Sequence, residues 1–81
     1  MAQHYIAPAF VVDPWPGRVR PSRRLFDILE RDGQIVPLLV HEQDSEFVVA
    51  NDYAQRERLA VLIELDWPTI LVETSWTDDD L

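Results

Sequence analysis

Cysteine is absent from the 81 residues. That excludes a disulfide framework, a thiol nucleophile and a cysteine metal site. Lysine is absent too: all seven basic residues are arginines, set against fifteen Asp and Glu, for a formal net charge of −8. A protein that coats nucleic acid draws its affinity from neutralised phosphates, so this balance excludes an ordinary one. No apolar run approaches the roughly 18 residues of a membrane-spanning helix. The N-terminus lacks the basic-then-apolar layout of a secretory leader, so a cytoplasmic domain is expected, with no membrane partner. What is present is the core of one small unit: 47% hydrophobic residues, with three Trp, three Phe and two Tyr among them. One domain is expected over residues 1–76, followed by an acidic tail over 77–81.

The charge is uneven. Arg18, Arg20, Arg23 and Arg24 crowd an acid-free stretch, Arg56 and Arg58 form a second group, and Arg31 stands alone. No basic residue follows Arg58, and the last 23 residues carry six acids. The lack of lysine is consistent with the base composition of a genome. Clustered arginines also suit forked recognition of phosphate or carboxylate.

Hydrophobic periodicity gives the element order. Tyr5–Val12 reads as a first strand, weakened by Pro8. Asp13-Pro14-Trp15-Pro16-Gly17 reads as a stiff loop, since each proline fixes its own φ and restricts the residue before it. Ser22 is a candidate N-cap for a helix over 23–32, and Gly33 a left-handed cap at its end. Gln34–His41 is a nearly continuous apolar run, the pattern of a strand buried on both faces. A polar turn over Glu42–Ser45 leads to a returning strand, Glu46–Ala50. Asn51 or Asp52 caps a second helix over 53–66, and Pro68 ends the pattern before a last strand, Thr69–Trp76. The expectation is an α+β domain in the order β-α-β-β-α-β, one sheet of about four strands with two helices. Its core is expected to hold Leu25, Ile28, Leu29, Val36, Leu38, Val40, Val48, Leu59, Leu62, Ile63, Ile70 and Val72.

Two segments carry a resemblance to a known family. One runs from Leu25 through Gly33-Gln34 to the Pro37-containing strand that ends at Val40. The other is Arg58-Leu59-Ala60-Val61-Leu62-Ile63-Glu64-Leu65-Asp66-Trp67-Pro68-Thr69-Ile70-Leu71-Val72. In this order they resemble the ParB/sulfiredoxin-like family, over about half the chain. The resemblance implies a phosphate-binding turn between the third strand and the second helix, here Ala50-Asn51-Asp52-Tyr53-Ala54-Gln55-Arg56-Glu57-Arg58, with Arg58 at the place of the family's turn arginine. That stretch has no glycine, which a close backbone approach to phosphate favours. Sulfiredoxin chemistry needs a cysteine. Partition proteins carry a helix-turn-helix domain after this one. The expectation is therefore a divergent stand-alone member, of the kind phages, plasmids and other mobile elements encode.

The candidate sites follow. Arg18, Arg20, Asn51, Arg56 and Arg58 could surround the phosphate of a nucleotide such as ATP or CTP, or a nucleic-acid end. Alternatively, these arginines simply reach solvent or pair with the abundant acids. Trp15, between two prolines, could dock a partner or stack on a base, or pack under its own loop. Asp66 and Glu73 mark an acidic surface for a basic protein partner. His4 and His41 lack metal-ligand spacing and read as surface histidines. Ser22, Ser45 and Ser75 have no histidine near in sequence, so no nucleophile stands out. The expectation is a non-catalytic, cofactor-free binding or regulatory protein acting on a host or DNA-handling protein. The alternative is a nucleotide-binding or nucleic-acid-binding domain with weak nuclease or NTPase activity.

Overall fold

The computed structural model describes residues 2–34 and 36–77, with the side chains of 75–77 excepted. Among the described residues it is an α+β domain of two helices and one five-stranded mixed sheet. The strands are β1 (Ala2–Ile6), β2 (Val11–Val12), β3 (Leu38–Gln43), β4 (Glu46–Val49) and β5 (Ile70–Thr77); the helices are α1 (Arg23–Asp32) and α2 (Tyr53–Leu65). Their order across the sheet is β1-β5-β3-β4-β2. The outer pairing β1/β5 and the hairpin β3/β4 are antiparallel, while β3/β5 and β2/β4 are parallel. No helix among the described residues is long and apolar enough to cross a membrane.

The fifth strand comes from the segment expected to form only one. Pro8 opens a turn of 3-10 helix, Pro8–Phe10, which splits Tyr5–Val12 into the end of β1 and the whole of β2. The two pieces lie on opposite edges of the sheet. In a flat sheet those edges would stand about 19 Å apart, four spacings of about 4.8 Å. Five chain steps from Ile6 to Val11 reach at most about 17 Å even when extended, and three of the residues are wound. The sheet must therefore twist and curl until its edges approach. The rings of His4 on β1 and Phe47 on β4 accordingly meet at 5.6 Å, although β5 and β3 lie between their strands.

Local chemistry sets the helix ends. The Ser22 hydroxyl accepts the Leu25 N–H at 3.1 Å, and Gly33, at φ 77°, donates its N–H to the Leu29 carbonyl. Its ψ of −179° lies outside the left-handed helical region expected there. Asp52 rather than Asn51 caps α2, accepting the Ala54 and Gln55 N–H groups. Asp66 closes α2 in the left-handed conformation, φ 55° and ψ 40°. The hairpin turn is tighter than expected: Asp44 and Ser45 both have positive φ, the geometry of a two-residue type I′ turn.

The run expected to begin a strand at Gln34 does so only at Leu38. Pro37 has no N–H for a ladder, and Gln34 is used otherwise. Its side-chain amide donates to the Leu71 carbonyl and accepts the Leu71 N–H, both at 2.7 Å. This ties the end of α1 to the start of β5. Gln34→Ala should cost about 1–3 kcal/mol, because both Leu71 groups lose a partner in a half-buried place; a denaturant titration showing less than about 0.5 kcal/mol would contradict that role.

One core joins sheet and helices: Val11, Leu38, Val40, Val49, Ile70 and Val72 from strands, Leu29 from α1, and Leu59, Val61 and Leu62 from α2. Along β5 the alternation is as expected, with Ile70, Val72 and Thr74 buried and Leu71 and Glu73 half-buried; the Trp76 side chain lies outside the described residues. Three expected core residues are exposed: Ile28 (37%), Val36 (55%) and Ile63 (50%). Ile63 follows Leu62 by about 100° on the helix, which turns it off the buried stripe. His41, expected at the surface, is buried, with the Trp15 ring meeting it edge-on at 6.3 Å. The acidic residues 78–81 lie outside the described residues.

Candidate functional site

The loop of residues 13–22 is fastened to the first turns of α2. Tyr53, Arg56 and Glu57 stand three and four residues apart, so they share one helix face. The Tyr53 hydroxyl accepts the Arg20 N–H and donates to the Arg20 carbonyl, and a Glu57 carboxylate oxygen accepts the Ser22 N–H at 2.9 Å. Arg56 does the most. Its Nε donates to both Asp13 carboxylate oxygens at 3.0 Å. Its Nη atoms donate to the Trp15, Pro16 and Gly17 carbonyls. A planar guanidinium fits such a ring of acceptors, and a lysine would not. Trp15 is turned inward: its indole N–H donates to the Val49 carbonyl at 2.7 Å. The ring packs against the core from the same loop.

The five residues expected around a phosphate are thus divided. Arg56 is drawn into the fold, its side chain 10% exposed. Asn51 is exposed on the bend before α2. The first N–H groups of that helix, which a phosphate would need, are taken by the Asp52 carboxylate. Arg18 and Arg20 project from the loop into solvent. Arg58 is half-buried elsewhere, on the wall of a groove between α1 and α2. Of the two acids expected to meet a partner, Asp66 is exposed at the end of α2. Glu73 lies along β5, where it accepts a hydrogen bond from Gln3 of β1.

The groove has a volume of about 170 Å³. Leu25, Ile28 and Leu29 of α1, Gly33, Gln34 and Val36 after it, Leu38, and Leu62 of α2 line it. Arg58 is its one charged lining residue among the described residues. Three other arginines have carboxylate partners: Arg23 with Asp27, Arg31 with Asp32, and Arg56 with Asp13. The Arg31 guanidinium holds the Asp32 carboxyl below the usual carboxylate range by a direct hydrogen bond. Arg58 has no ion pair among the described residues. Also among those residues, no three His, Asp or Glu side chains gather as a metal would require.

Sequence reasoning missed the groove because it assigned Ile28 and Val36 to the core. It missed the clamp although a signal was present: Tyr53, Arg56 and Glu57 at helical spacing, opposite a proline-rich loop containing Asp13. Comparison with protein-family models and with curated proteins finds no match to this chain.

Proposed function

We propose that this is a non-catalytic binding protein that acts through a protein partner. One observation carries the reading. The groups that would hold a phosphate at the start of α2 are satisfied within the fold, the helix N–H groups by Asp52 and the Arg56 guanidinium by Asp13 and three carbonyls. An apolar groove remains open on another face of α2. Apolar surface rimmed by polar groups is what protein interfaces use. The net charge of −8 acts at long range and favours encounter with a partner that is basic overall; it does not set the charge of the segment that docks in the groove. A role in a mobile element, acting on a host or DNA-handling protein, belongs to the same proposal.

A second reading keeps a nucleotide or nucleic-acid end as ligand. Arg18 and Arg20 favour it, being exposed, close in sequence and without carboxylate partners among the described residues. Thermal unfolding with ATP, CTP or a short DNA duplex separates the readings. A ligand at about a hundred times its Kd stabilises by about 2.7 kcal/mol. We expect no shift in Tm from any of the three at millimolar concentration. A clear rise that disappears in the double variant Arg18→Glu, Arg20→Glu would establish the second reading instead.

A further inference from the structure

We propose that the groove between α1 and α2 docks a partner segment that inserts one large apolar side chain and sets an Asp or Glu beside Arg58. This rests on the binding-protein reading and deepens it by naming the chemistry of the partner.

The groove's size selects the occupant. At about 170 Å³ it is well below the roughly 300–1,000 Å³ of sites that enclose a whole small ligand. It suits a single aliphatic or aromatic side chain, the anchor around which protein interfaces are built. Ile28 and Val36, 37% and 55% exposed, both stand on the groove wall. Both would be covered by a segment lying across the groove, which would remove their apolar surface from water.

The charge selects the rest. A partly buried guanidinium loses hydration, and the other such group in this fold is paired: Arg56, its side chain 10% exposed, has Asp13 and three carbonyls. Arg58 is half-buried on an apolar wall and has no ion pair among the described residues. A carboxylate brought by the partner would accept a charge-assisted hydrogen bond there, and the planar fork would fix its orientation. Arg24 stands one helical turn before Ile28 on the same stripe of α1, exposed and without an ion pair among the described residues. Within an acidic molecule the charge on the described groove wall is therefore the positive one of Arg58, while Asp32, one turn after Ile28, is paired with Arg31. Such a surface rejects basic segments locally and accepts acidic ones.

Random dodecapeptides displayed on phage and selected against the full chain test this. With the wild-type protein, selected peptides should share a Leu, Ile, Met, Phe or Trp with an Asp or Glu within four residues of it. Against Arg58→Glu the acidic position should change to Lys or Arg. Against Ile28→Asp, a change at an already exposed position, enrichment should vanish while the far-UV circular dichroism stays unchanged. For the best single peptide, Arg58→Gln should weaken binding roughly tenfold or more. A motif without an acid, a motif unchanged by Arg58→Glu, or no enrichment at all would overturn the proposal. So would a wild-type dimer that Ile28→Asp dissociates, because a second copy would then be the occupant. Basic peptides lost on Glu73→Lys would overturn the groove but leave the binding-protein reading standing. Stabilisation by ATP or CTP that requires Arg18 and Arg20 would overturn both.

Discussion

Replacing Arg56 with alanine is expected to destabilise the domain by about 2–4 kcal/mol, the loss on breaking an enclosed ion pair whose remaining partner keeps some water. The Arg56 side chain is 10% exposed and the Asp13 side chain 26%. Removing the guanidinium leaves that carboxylate without its counter-charge and the Trp15, Pro16 and Gly17 carbonyls without a donor. A domain of this length holds only about 4–12 kcal/mol in total, so the variant should unfold at markedly lower denaturant. Arg56→Lys should recover only part of the loss, since an ammonium cannot reach a carboxylate and three carbonyls in one plane. Asp13→Asn should cost less than Arg56→Ala, and the double variant less than the sum of the two, because they share one interaction. The loop of residues 13–22 should also become open to limited proteolysis before the core unfolds. A loss below about 1 kcal/mol from Arg56→Ala would free that arginine for a ligand and return it to the phosphate reading.

Leu62→Ala is the second large effect. Leu62 is 1% exposed and stands where α2 meets the core. Truncating a buried leucine costs about 2–5 kcal/mol, made up of lost transfer energy and the cavity left behind. Because Leu62 also lines the groove, the new space would open into it, and water or a shift of α1 could fill part of it. That places the expected loss toward the lower half of the range. Val72→Ala, enclosed on every side at 0% exposure, has no such relief and gives the comparison. Thermal or urea unfolding of both proteins reads the values. If Leu62→Ala costs less than about 1 kcal/mol, the buried face of α2 is not the one described.

Much of the framework was legible in residue types. Ser22 starts α1 as its capping chemistry dictates, Gly33 ends it at positive φ but outside the left-handed helical region expected, and Asp52 with Pro68 brackets α2 and the strand beyond. The alternation of Ile70, Val72 and Thr74 against Leu71 and Glu73 gave β5 its faces. The splitting of Tyr5–Val12 was less legible. Pro8 signals a break, yet nothing local says that the next residues cross to the opposite edge of the sheet. That follows from the curl of the whole sheet. The run from Gln34 to His41 misled because Val36 before Pro37 looks like a strand residue, although the proline and the Gln34 hydrogen bonds keep it out of the ladder. Of the candidate site, the concentration of arginines was readable, but their division was not. Arg56 and Arg58 are two residues apart, which on a helix turns them about 200° from one another. One therefore faces the loop and the other the groove.

The central claim is that ligand recognition belongs to the groove, while the arginine clamp belongs to the fold. It is tested most directly by following backbone amide chemical shifts during titration with a selected acidic-apolar peptide and, separately, with ATP. The expected result is that the peptide moves the signals of Ile28, Gly33, Val36 and Arg58 and leaves Asp13 to Gly17 in place, while ATP moves neither set. Shifts gathered at Arg18, Arg20 and Asn51 to Ala54 on adding ATP, with the groove residues unmoved by any peptide, would contradict it.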